Sequence, residues 1–115
     1  MASSPLLPML EGFLNVVDDR QQLVVANMAN ADTPGYRTRG LNFQAALQQA
    51  MDPGGGPTLE PATLEVTGLP EQPDGNNVDI DRESLLLSET QLQYQMGVQL
   101  IEEQFHELLT AIQEQ

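Results

Sequence analysis

Apolar residues gather toward the two ends of the chain, and most of the proline and glycine lies between them. From Leu6 onward, Leu6, Leu10, Phe13, Val17, Arg20, Val24, Asn27 and Ala31 recur at alternating intervals of four and three, flanked by Leu7, Leu14 and Met28. That spacing draws one stripe along one face of an α-helix. Pro8 has no amide hydrogen to donate and fits best in a first turn, so the pattern predicts a helix over residues 7–31. Thr33 precedes a proline and is biased away from helical backbone, which ends the regular helix near Asn30.

The C-terminal segment repeats the rhythm through Leu87, Gln91, Tyr94, Val98, Ile101, Phe105, Leu108 and Ile112. The pattern predicts a second long helix over 81–115, with Asp81 as N-cap, Glu83 in the first turn where the helix dipole favours a carboxylate, and Ile80 and Leu85 as a hydrophobic staple. Between the two, Asn42 is placed to cap a short helix from Phe43 to Met51, which the run Asp52-Pro53-Gly54-Gly55-Gly56-Pro57 must break. Thr63 to Thr67 alternates polar and apolar like a short strand, and Gly68 to Gly75 returns to turn chemistry. Residues 52–73 hold so few apolar side chains that they read as a flexible or loosely ordered loop.

The expected fold is therefore mostly α: one domain over 1–115, with long N- and C-terminal helices forming an antiparallel coiled-coil hairpin around an irregular Pro/Gly-rich middle, residues 32–80. A helical pair alone is a thin core, so leftover apolar surface points to packing against other chains. Leu10, Phe13, Val17, Val24, Tyr94, Val98, Ile101, Phe105 and Leu108 are the candidate assembly residues. The same spacing also suits a monomeric hairpin whose stripes are simply its own core.

Composition narrows the function. Seventeen acidic residues against four arginines and no lysine give a formal net charge of -13, which leaves almost nothing to neutralise phosphates and excludes an extended nucleic-acid footprint. The same charge repels anionic lipid headgroups and resists self-association at low salt. With no cysteine, disulfides, thiolate catalysis and cysteine-ligated zinc are excluded together. Met1 to Gly12 lacks the basic start and cleavage site of a secretory signal, and no apolar run reaches the roughly 20 residues that span a bilayer.

The densest local signal is Ala26-Asn27-Met28-Ala29-Asn30-Ala31-Asp32-Thr33-Pro34-Gly35-Tyr36. Asp32 and Thr33 can bond nearby backbone, Pro34 presets the second position of a turn, and Gly35 supplies the positive φ a type II turn needs next. Asn27 and Asn30 share a helix face, where their amides could cap the helix end or bond a neighbouring chain. Alternating Asp and Asn over 74–81 invites a calcium reading. In an EF-hand register starting at Asp74, however, Leu85 falls where the bidentate glutamate belongs, so no metal site is assigned. His106, the single histidine, sits near Glu102 and Glu103 without a nucleophile or ligand set, so no catalytic or cofactor site is assigned either. Arg20, on the N-terminal stripe, either pairs with an acidic partner or extends to water along its alkyl stem.

The run from Ala26 to Tyr36 resembles the signature of the flagellar rod, hook and junction proteins. Arg39, Leu41 and Phe43 resemble the family's continuation, and Asp74 to Asp81 with Glu83 resembles the approach to the C-terminal helix in the basal-body rod proteins of the FlgB type. These blocks and the two helices cover most of the chain, leaving about 44–73 without a recognisable pattern. The FlgC type is the nearest alternative. The resemblance implies a non-enzymatic subunit of the periplasmic proximal rod, exported uncleaved by the type III pathway. Its implied partners are other rod subunits (FlgB copies and the FlgC type), the rod adaptor FliE and the export apparatus, without membrane insertion. Asn27, Asn30, Thr33, Pro34, Gly35 and Tyr36 become the family's motif turn. Phe43 and Leu47 resemble the export-gate motif of early flagellar substrates, although the same pair suits any short amphipathic helix. A small acidic adaptor or chaperone-like hairpin that never polymerises is the competing reading from the residues alone.

Overall fold

A computed structural model describes residues 6–51 and 63–114. Five elements follow in order: α1 (Leu6–Ala29), β1 (Arg39–Leu41), α2 (Phe43–Met51), β2 (Thr63–Glu65) and α3 (Ile80–Gln113). The molecule is elongated, 67 × 28 × 18 Å. Most of that length is α3, whose 34 residues extend about 51 Å at 1.5 Å per residue.

The two long helices pack side by side, and their contacts give the direction of each. Leu14 meets Gly97, Arg20 pairs with Glu89 at 3.7 Å, and Asn27 donates to Glu83 at 2.8 Å. Positions rise on α1 as they fall on α3, so the helices run in opposite directions. Pro8 lies in the first turn of α1, where its missing N–H breaks no ladder bond. Leu10, Val17, Val24 and Asn27 of the predicted stripe are buried, and Phe13 is half-buried beside them. Gly12 and Val16 are buried as well, because α2 covers a second side of α1; a Cβ on Gly12 would sit 3.2 Å from the Ala50 carbonyl oxygen. Asn42 caps α2, its Oδ1 accepting from the Ala45 amide at 3.1 Å.

Four expectations are corrected. Asp79, not Asp81, caps α3: its backbone is extended (φ -106, ψ 105) and its carboxylate accepts from the Asp81 and Arg82 amides. Ile80 therefore opens the helix, and Ile80 and Leu85 are both exposed, so they form no staple. The α3 face turned to α1 runs through Glu83, Thr90 and Gly97, displaced from the apolar stripe read in the sequence. Small and polar residues take the closest approach because a Cβ at Gly97 would lie only 2.6 Å from Leu14 Cδ2. Val98 and Ile101 flank that face half-buried, whereas Tyr94, Phe105 and Leu108 are exposed.

The fourth correction concerns residues 63–73, which are tied down rather than loose. β2 pairs antiparallel with β1 in the register Arg39↔Glu65 and Leu41↔Thr63, and the Val66 amide donates to Thr38. The Gln72 amide donates to the Asn76 carbonyl at 2.8 Å. The rest of the expected loop, 52–62, lies outside the described residues.

Candidate functional site

Where α1 ends, its last carbonyls need partners, and asparagines supply them. Asn30 turns its amide back to the Ala26 carbonyl at 2.8 Å, and Thr33 Oγ1 donates to Asn30 Oδ1 at 3.0 Å. The chain then reverses over Thr33-Pro34-Gly35-Tyr36, closed by the Tyr36 amide on the Thr33 carbonyl at 3.2 Å, with Gly35 at φ 75. An L side chain is strained at that φ, which fixes glycine in the third position of the turn.

The second block, 74–81, clamps onto the first. The Gly35 amide donates to the Asp74 carbonyl at 2.9 Å. Gly75, at φ 88, brings its open side toward Gly35, where a Cβ would stand 3.5 Å from the Gly35 Cα. Asn76, fully buried, donates through Nδ2 to the carbonyls of Asn30 (2.9 Å) and Thr33 (2.8 Å) while its Oδ1 accepts from the Val78 amide (2.8 Å). Asn77 accepts from the Thr38 amide at 2.6 Å, and Thr38 Oγ1 donates to the Asn77 carbonyl. Its own Nδ2 is buried without a hydrogen-bond partner among the described residues.

Asn27 is the hub. It is 1% exposed and uses its whole amide: Nδ2 donates to the Arg39 carbonyl and to Glu83 Oε1, both at 2.8 Å, while Oδ1 accepts from the Tyr36 hydroxyl at 3.0 Å and the Arg39 amide at 3.1 Å. Glu83, fully buried, is compensated at its other oxygen by Arg82 at 2.6 Å. A carboxylate can stay charged in such a place only with partners of this kind. Burial pushes the Tyr36 phenol above its ordinary range, with the Arg39 guanidinium opposing and the Glu83 carboxylate adding to the shift. The amides of Asn27 and Asn30 thus serve their own chain. Sequence reasoning reads Glu83 only as a first-turn carboxylate, and Asn76 and Asn77 only as part of the 74–81 block; their place in this network is not foreseen there, and the one available signal is the Asn-Asn pair inside that block.

The other predicted residues are spread along the molecule. Phe43 sets its ring edge-on to Phe13, with centroids 6.2 Å apart and planes at 84°, and the Arg20 guanidinium lies 5.4 Å from its centroid. Leu47, one turn on, is half-buried. Arg20 therefore pairs within its own chain, on Glu89 and over Phe43. The carboxylates of Asp74 and Asp79 accept from backbone amides, and among the described residues no three of His, Asp and Glu converge as metal ligands. His106 lies far along α3 beside a shallow surface shared with Glu102, Glu103 and Glu107. No described helix is long and apolar enough to cross a membrane. What the network provides is rigidity: it locks the exit of α1, the start of β1 and the start of α3 into one unit.

No family model matches the chain. It is 35% identical to the flagellar basal body rod protein FlgB of Escherichia coli (strain K12) and to that of Salmonella typhimurium, over 87% of this chain and 87% of each relative. FlgB of Yersinia ruckeri is 31% identical over 88% of both chains. Identity at this level along nearly the whole of both partners places the chain in the FlgB family of flagellar basal body rod proteins.

Proposed function

We propose that this rod component is a structural subunit of the proximal, periplasmic rod, joined to its neighbours through α1 and α3 after uncleaved passage through the type III export apparatus. Its work is packing. One observation carries the reading: toward its C-terminal end, α3 leaves Phe105, Leu108, Leu109 and Ile112 each 48–66% exposed. Four large apolar side chains on one short stretch of helix form a surface that burial against other chains would stabilise.

In the assembled rod the antiparallel pair would act as a coiled-coil hairpin. Leu10, Phe13, Val17, Val24, Val98 and Ile101 hold it together, and Tyr94, Phe105 and Leu108 meet neighbouring subunits. Those neighbours are further copies of the chain, FlgC-type subunits and the adaptor FliE. The turn at Asn30 to Tyr36 sets the angle at which α1 hands over to β1. The Phe43–Leu47 pair would serve the export gate before folding, since Phe43 is engaged with Phe13 once the chain has folded.

Val98→Asp tests the assembly. The variant should be missing from isolated basal bodies and the cells should not swim, because a charge beside the α1 face disrupts the pair and the surface it presents. Normal rods and normal swimming in that mutant would overturn the reading.

A further inference from the structure

The four cations of this chain are not scattered. All lie at or before Arg82, and Arg20, Arg39 and Arg82 line a single cavity of about 310 Å³ between α1, the β1–β2 ribbon and the first turns of α3. Leu41, Leu64 and Leu86 supply apolar wall, with Leu64 44% exposed. Two carboxylates also line the cavity, but Glu65 is engaged by Arg37 and Glu83 by Arg82. Arg20 reaches Glu89 only at 3.7 Å. The Arg39 side chain has no hydrogen bond or ion pair among the described residues, although Asn27 grips its backbone at both N–H and C=O. A network of buried amides therefore presents one uncommitted guanidinium at the edge of a half-apolar groove, in a protein of net charge -13.

The opposite end of the molecule carries the complement. After Arg82 the chain has no arginine or lysine. Met96, Leu100, Glu103 and Glu107 follow one another at intervals of four, three and four, which lines them up on one α3 face. All four side chains, Met96 at 54%, Leu100 at 47% and both glutamates, are exposed. This stripe is apolar in its first half and acidic in its second, as the groove is apolar on one wall and cationic at its edge. It cannot reach its own groove, because Glu107 is 25 residues beyond Arg82 on a straight helix, about 37 Å away.

Resting on the rod reading and sharpening it, we infer that the Arg39 groove is the receptor for the Met96–Glu107 stripe of a second copy of this chain. Complementary patches at opposite ends of one molecule make a heterologous, head-to-tail contact, which propagates instead of closing into a dimer. The arginines neutralise part of the acidic stripe at the junction, offsetting repulsion between strongly negative subunits.

Charge exchange on the full chain tests this by sedimentation velocity near physiological ionic strength. Arg39→Glu, and separately Glu103→Arg with Glu107→Arg, should each weaken self-association by more than about tenfold, since each places like charges together. All three substitutions in one chain should restore it, as should an equal mixture of the two variants. Because Glu65 stands opposite position 39 in the ribbon, Arg39→Gln serves as the control for folding: unchanged circular dichroism with weakened association is expected, and association at wild-type strength would overturn the contact. Association of Arg39→Glu at wild-type strength, failure of the combined variant to recover, or a wild-type chain still monomeric at roughly 1 mM would each overturn the contact. Motility separates this from the wider reading. Swimming Arg39→Glu cells beside non-swimming Val98→Asp cells would remove the groove contact and leave the proposed function standing, whereas harmless Val98→Asp would remove the proposed joining through α1 and α3.

Discussion

At the end of the molecule where α1 turns toward β1, the interior is polar: Asn27, Thr38, Asn76, Asn77 and Glu83 are all within 2% of full burial. Toward the other end, α3 leaves Phe105, Leu108, Leu109 and Ile112 open. The first region is closed upon itself, with nearly every buried amide and carboxylate partnered inside the chain. The second has apolar surface and nothing among the described residues to cover it. The molecule thus has a rigid, self-sufficient end and an end with open apolar surface, which neighbours would cover in the proposed assembly. Hydrogen bonds suit the first task because they fix angles, and apolar helix suits the second because it packs without demanding one geometry.

The largest effect should come from breaking the rigid end. Asn27→Ala leaves Glu83 Oε1, the Tyr36 hydroxyl and both backbone groups of Arg39 without their partner, and a loss of about 3–5 kcal/mol in urea unfolding is expected. Gly97→Leu, where the helices come closest, should cost about 1–3 kcal/mol by forcing Leu14 and Phe13 aside. Asp79→Ala removes the α3 cap and should cost about 1 kcal/mol, whereas Asp81→Ala should cost clearly less. At the open end, Ile112→Ser should change monomer stability by no more than about 0.5 kcal/mol, while recovery of the protein in basal bodies drops. An equal stability loss from Asn27→Ala and Ile112→Ser would erase the distinction between the two ends.

A pH titration sharpens the same contrast. Tyr36 is half-buried and donates to Asn27, and that partial burial holds its folded pKa above the unfolded value near 10.0. Between the two values the folded state holds more protons than the unfolded state, so stability falls as pH rises above the unfolded pKa. In a Tyr94→Phe background the phenolate absorbance should therefore appear at higher pH in the folded chain than after unfolding. Coincident titrations would show that Tyr36 is not held in the network.

The helices were readable because their signals are local. Leu10, Val17 and Val24 mark the α1 face by spacing alone, and Asn42 and Pro34-Gly35 punctuate the chain at short range. The α3 face was misplaced for a physical reason: the largest apolar residues form one stripe, but helix contact is closest where residues are smallest, at Thr90 and Gly97. The cap was misplaced because Asp79 and Asp81 are equivalent on paper, and only the extended backbone at Asp79 separates them. β1 went unseen because Arg39-Gly40-Leu41 has no strand pattern and becomes a strand only by pairing with Thr63–Glu65.

The two long helices, the sharp turn at Pro34-Gly35, the lack of thiol chemistry and a charge unsuited to nucleic acid are all legible in the chain alone. Each rests on neighbours within a few residues, or on composition. Tertiary packing alone settled which side of α3 faces α1, that Asn76 would reach the Asn30 carbonyl 46 residues earlier, just past the end of α1, and that Asn27 would meet Glu83 across 56 residues. An amide's partner at that separation is fixed by how the helices stack, and no periodicity in the chain encodes it.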